Sequence, residues 1–152
     1  MRHALTTFAA ALVLFTAAAV QAGGDWNDSQ VAWQTYDAGL AAAKKEKKPM
    51  VLIFYTEWCP HCTNYSKVFH DPAVVAQAKD FVMIRLDADK NKELAQKFAI
   101  DGGYIPRTFF LSSAGTLDPS IHAPREQFKY FYDEKNPASI LAAMTAAQAK
   151  LN

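Results

Sequence analysis

At 152 residues, 51% apolar and 20% charged, the chain has the size and composition of one globular domain with a real hydrophobic core. Its 16 Lys and Arg nearly balance 15 Asp and Glu, so bulk charge gives no reason to expect nucleic acid or an acidic membrane surface as partner. Collagenous, disordered and polytopic membrane classes are excluded by the same numbers.

The first 22 residues read as a secretory signal peptide. Arg2 and His3 form a short basic start, and Ala4 to Val20 carries no charge. Val20-Gln21-Ala22 then offers a small-x-small cleavage site before Gly23-Gly24. The apolar run is shorter than the roughly 20 residues a membrane span prefers, so no stable membrane insertion is expected after cleavage. Residues 23–152 are left as a single domain. Removing Arg2 from the 16 Lys and Arg balances the 15 Asp and Glu.

A helix is predicted over 29–46, with Trp33, Tyr36, Leu40 and Ala43 at three- and four-residue spacing. The cluster Lys44, Lys45, Lys47 and Lys48 closes it as a solvated end. Met50 to Tyr55 is continuously apolar and suits a central strand covered on both faces. Helices are predicted over 60–69 and 73–79, a strand over 81–86 and a helix over 89–98. Asp101-Gly102-Gly103 breaks that helix. Residues 107–111 form another strand, and Ser113-Ala114-Gly115 turns it back into a hairpin strand at 116–118. The aromatic segment within 119–136 reads as either a strand or irregular packing. A last amphipathic helix spans 137–150, with Pro137 near its first turn. The alternation argues for a sheet covered by helices.

Both cysteines lie in Cys59-Pro60-His61-Cys62, just after the first strand and Thr56-Glu57-Trp58. A thiolate attacks a disulfide, so one thiol must be exposed and acidified. A cysteine at a helix start meets unpaired backbone N–H groups and the positive end of the dipole. Cys59 is thus the expected nucleophile, more readily ionised than a free cysteine. Pro60 fits the first turn, and His61 adds a positive or hydrogen-bonding partner. Cys62, one turn inside, is the expected resolving thiol. Trp58 is read as a wall of the site. A zinc half-site uses the same spacing but lacks its other ligands. A static disulfide closing so small a loop stabilises little. The expected cofactor list is empty apart from the redox-active disulfide Cys59–Cys62, with no metal.

Trp58-Cys59-Pro60-His61-Cys62 after a buried strand, and Ile105-Pro106 before a later one, resemble the thioredoxin superfamily over roughly residues 30–150. The run Asp101 to Arg107, with Phe110-Leu111, Gly115 and Tyr130-Phe131-Tyr132, is similar to the small endoplasmic-reticulum thioredoxin-domain proteins that include the anterior gradient family. The resemblance implies an α/β thioredoxin fold, a central mixed sheet flanked by helices in a single domain. It implies a cis Pro106 facing the cysteines, with the Ile105 backbone, and Tyr104 as substrate or core contact, beside an extended client segment. Pro60-His61 resembles the pair in DsbA-type oxidases, where it accompanies a very acidic thiol. Many thioredoxins place a buried acid where this chain has Ile53, so Glu57 is the candidate substitute to accept the Cys62 proton. Arg85 and Arg107 are weaker candidates for tuning a thiolate.

The function expected is protein thiol–disulfide exchange in an oxidising compartment, the periplasm or otherwise a secreted or lumenal location. Partners would be cysteine-containing clients and an upstream redox protein. Two alternatives stand beside it. One is a thioredoxin-fold binding or chaperone-like module acting through its aromatic segment. The other is a periplasmic reductase fed by a membrane electron donor.

Overall fold

A computed structural model describes residues 23–151; the expected signal peptide, 1–22, lies outside them. The elements run β1 (Trp33–Gln34), α1 (Tyr36–Glu46), β2 (Met50–Tyr55), α2 (Pro60–Ser66) with a 3-10 turn over Lys67–His70, α3 (Pro72–Ala78), β3 (Val82–Asp87), α4 (Lys92–Lys97), β4 (Arg107–Leu111) and α5 (Ala138–Leu151). One mixed sheet has the order β1-β3-β2-β4, with β1 and β2 parallel to β3 and β4 antiparallel to β2.

The two-residue period of a strand sends alternate side chains of β2 into two cores. Val51 and Ile53 join Cys59, Cys62, Tyr65 and Phe69 of the α2 side, with Val74 of α3 and Ile140 and Met144 of α5. Met50, Leu52 and Phe54 face Ala43 of α1 and Ala95 of α4 on the opposite side. Both β2 faces are therefore dry, as its unbroken apolar run required. Asp71 caps α3, accepting from the Ala73 and Val74 N–H groups at 2.9 and 3.3 Å, with Pro72 in the first turn.

Three sequence expectations change. The helix expected from residue 29 begins at Tyr36, because Trp33 sits on a short edge strand in register with Met83. Its helical spacing to Tyr36 is coincidental: Trp33 packs on the α2 core and Tyr36 on the α1 core. The helix expected from Asp89 begins at Lys92. Asp87 first organises a turn, accepting from the Asp89 N–H at 2.9 Å and the Asn91 side-chain amide at 2.9 Å. The hairpin strand at 116–118 reduces to one bridge, Leu111–Leu117. Pro119 has no N–H with which to prolong a ladder.

Segment 119–136 is irregular. Its aromatic side chains alternate between the cores. Tyr130 packs its ring 4.4 Å from Phe109, and Tyr132 lies 6.1 Å from Phe110 on the other face of the sheet. The lysine cluster at the end of α1 is solvated, with Lys48 paired to Glu46 at 3.2 Å.

Candidate redox site

The site forms where β2 ends and α2 begins. Cys59 is the N-cap of α2, and Pro60 occupies the first helical turn. The Cys62 backbone N–H donates to Cys59 Sγ at 3.1 Å. A sulfur thus takes the place of the hydroxyl or carboxylate that usually satisfies an orphan helix donor. Both thiols are free. Across from them, the Ile105–Pro106 bond is cis, and Cys59 Sγ lies 4.0 Å from the Ile105 carbonyl oxygen. The two motifs read from sequence therefore meet.

Neither thiol is open, although the nucleophile Cys59 is the one expected to be exposed. Cys59 keeps 3% of its surface exposed and Cys62 none. Burial pushes the Cys62 thiol well above the ordinary cysteine range. Its hydrogen bond to Cys59 adds to the shift, as does the Glu134 carboxylate, while a backbone hydrogen bond from Thr56 opposes it. These surroundings disfavour a thiolate at Cys62.

A thioredoxin-like family model matches residues 32–113, a span that includes both the cysteines and Pro106. The chain belongs to the thioredoxin-like family. This thioredoxin-like chain is 31% identical to anterior gradient protein 3 of Xenopus tropicalis over 128 residues, 80% of this chain and 74% of that protein. The resemblance to the anterior gradient family therefore holds. It is also 50% identical over 54 residues to the thiol:disulfide interchange protein DsbD of Vibrio vulnificus, 35% of this chain but only 9% of that much longer protein. The chain thus spans under a tenth of that relative's length. The crystal structure of a disulphide isomerase from Xylella fastidiosa superposes with a TM-score of 0.57 at 25% identity, covering 91% of this chain and 99% of that one.

Other candidate residues of the thioredoxin-like chain fall into different places. Trp58 stands 71% exposed beside the motif, its indole N–H donating to Asp89 at 2.7 Å. Glu57, the candidate substitute acid, is bound by Lys90 at 2.7 Å. Arg85 is engaged by other groups. Its guanidinium lies 5.5, 5.3 and 5.6 Å from the rings of Trp26, Trp33 and Tyr55 and pairs with Asp28 at 2.8 Å. It fastens the N-terminal segment to the sheet, a role its position on a strand could not reveal.

Arg107 is also structural. It is 2% exposed and donates to the carbonyls of Ala95, Phe98 and Gly102 at 3.0 to 3.1 Å, capping the end of α4. Tyr104 is a bracket: its hydroxyl donates to Asp101 at 2.7 Å and accepts the Tyr130 N–H at 3.0 Å. His61 turns its Nδ1 to Glu134 at 2.7 Å and sets its ring edge-on to Phe131. Glu134 also accepts from Asn64 at 3.3 Å. Sequence reading missed Glu134, which lies 73 residues from His61 in the segment without a regular pattern.

Proposed function

We propose that the chain is an exported protein thiol–disulfide oxidoreductase in which Cys59 attacks and Cys62 resolves. The observation that carries this reading is Cys59 Sγ at a helix N-cap, 3.1 Å from the Cys62 N–H and 4.0 Å from the carbonyl preceding a cis proline. In the reductive direction, the Cys59 thiolate attacks a client disulfide. A Cys59–client disulfide forms, and the client's leaving sulfur takes a proton. Cys62 then loses its proton and attacks Cys59 Sγ. The Cys59–Cys62 disulfide closes, and the client's second sulfur leaves as a thiolate and is protonated. The client gains two electrons and two protons; the chain loses both. Oxidation of a client is the same sequence reversed, and an upstream dithiol or disulfide protein resets the pair.

The burial difference supports the division of roles, since the thiol that must wait is the fully covered one. A groove of about 530 Å³ beside His61, lined in part by Pro124, Arg125 and Phe131, offers a place for client backbone and apolar side chains. Export to an oxidising compartment, the periplasm above all, rests on the segment from Arg2 to Ala22. Among the described residues no helix is long and apolar enough to cross a membrane.

The test is a trap. Cys62→Ala should accumulate mixed disulfides at Cys59 in cells, and Cys59→Ala should abolish both the adducts and insulin reduction. A trap that captures nothing, with Cys59→Ala as active as wild type, would overturn the reading in favour of a binding module. Amino-terminal sequencing of the exported protein should begin at Gly23.

A further inference from the structure

We infer that Glu134 is a positioning residue: it holds the His61 imidazole and offsets its charge beside the Cys59–Cys62 pair, and so makes the dithiol a weaker oxidant than its Cys-Pro-His-Cys motif implies. This rests on the reading of Cys59 and Cys62 as a redox pair, and it deepens that reading by addressing its direction.

The geometry is specific. The His61 side chain is 61% exposed, whereas that of Glu134 is only 12% exposed. The carboxylate is thus the fixed member and the imidazole the one that is steered. Each oxygen of Glu134 has a separate donor on α2, His61 Nδ1 at 2.7 Å and Asn64 Nδ2 at 3.3 Å. Those donors flank Cys62 in sequence. Phe131 supports the imidazole, ring centroids 5.7 Å apart at 77°. The chain that leads into Glu134 is itself anchored. Tyr132 is 1% exposed in the core, and the Asp133 N–H donates to Ser139 Oγ at 2.9 Å at the start of α5.

Two electrostatic consequences have the same sign. A carboxylate 2.7 Å from the imidazole offsets positive charge that His61 could present to Cys59. The carboxylate's own charge also bears unfavourably on a thiolate at Cys62. Both disfavour the thiolate, and a less favoured thiolate means a less stabilised reduced form and a less oxidising disulfide. Glu134 lies beyond residues 32–113, the stretch matched to the family, so this device belongs to the part of the chain that the family pattern does not describe.

The experiment equilibrates the purified protein with glutathione buffers and reads the Cys59–Cys62 redox state by thiol alkylation. Glu134→Gln, which keeps the shape and can still accept from Asn64, should shift the equilibrium about tenfold towards the reduced form, a potential about 30 mV more oxidising. In a His61→Ala background the same change should fall to about threefold or less. Asn64→Ala should stay within about twofold of wild type, because His61 remains held. The measurement compares two redox forms of one variant, so a general loss of stability common to both does not move it. A Glu134→Gln shift below about twofold, or one undiminished without His61, would overturn the inference. A wild-type protein that forms no Cys59–Cys62 disulfide in any buffer would instead overturn the redox reading beneath it.

Discussion

Two regions supply the surroundings of the thiols, and they are built in opposite ways. The junction from Tyr55 to Cys62 is regular: a buried strand ends, a sulfur caps the next helix, and a proline follows. Its chemistry is local, since the donor to Cys59 Sγ is three residues away. Segment 119–136 has no regular element. It is fixed by single tertiary contacts, such as the Thr108 N–H donating to the Tyr130 carbonyl and the Ala123 N–H donating to that of Lys129, both at 2.8 Å. Yet this segment brings the carboxylate that engages His61. The reacting atoms come from short-range structure, and part of the charge around them comes from long-range packing.

The largest effect on stability should come from breaking the irregular region. Tyr130 is 3% exposed and packs against Phe109. Tyr130→Ala should cost about 3 kcal/mol or more, as truncations of large core aromatics do. Urea unfolding of the reduced protein measures it. A loss under about 1 kcal/mol would place this segment outside the core and collapse the contrast between the regions.

This contrast also explains what was legible in the sequence. The strand over 50–55 and the redox helix were readable because their signals are local: an apolar run, a breaker, a capping residue. The meeting of Cys59 with Ile105-Pro106 was readable only through family resemblance, since no periodicity links residues 46 apart. Trp33 misled because three-residue spacing continued by chance across a strand end. Arg85 and Arg107 misled for a shared reason. An arginine on a strand near a site has the same sequence signature whether it faces the thiols, a cage of aromatic rings or the carbonyls ending a helix. Glu134 left no signal, because a carboxylate in an irregular segment acquires its meaning from what lies opposite.

Arg107 stands at the boundary of the two regions, directly after the cis proline, and offers the next test. Burial lowers its affinity for its proton, yet it satisfies three backbone carbonyls. Arg107→Met should leave those acceptors unpaired and cost about 2–3 kcal/mol. Insulin reduction per folded molecule should stay within about twofold of wild type, because the donors of Arg107 are spent on those carbonyls. A tenfold fall in exchange with unchanged stability would restore it as a thiolate-tuning residue.

The smallest effect isolates the regular region through pH. Burial, then the hydrogen bond to Cys59, raises the Cys62 thiol in the folded protein. In the unfolded chain the same thiol ionises near the ordinary value of about 8.5. Above that pH the unfolded state releases a proton that the folded state keeps. The unfolded state then binds fewer protons, so stability must fall as pH rises, by at most about 1.4 kcal/mol per pH unit. Below about pH 8.5 both states hold the proton and the contribution is flat. Burial also raises Tyr65 and Tyr132, but unfolded tyrosine ionises only near about pH 10. The interval from about 8.5 to 10 therefore reports the thiol. Urea unfolding of the reduced wild type across that interval should lose stability faster than Cys62→Ala, and the oxidised wild type should lack the difference. Parallel profiles would mean that Cys62 is open enough to ionise in place, and its burial at the motif would no longer explain why it waits while Cys59 attacks.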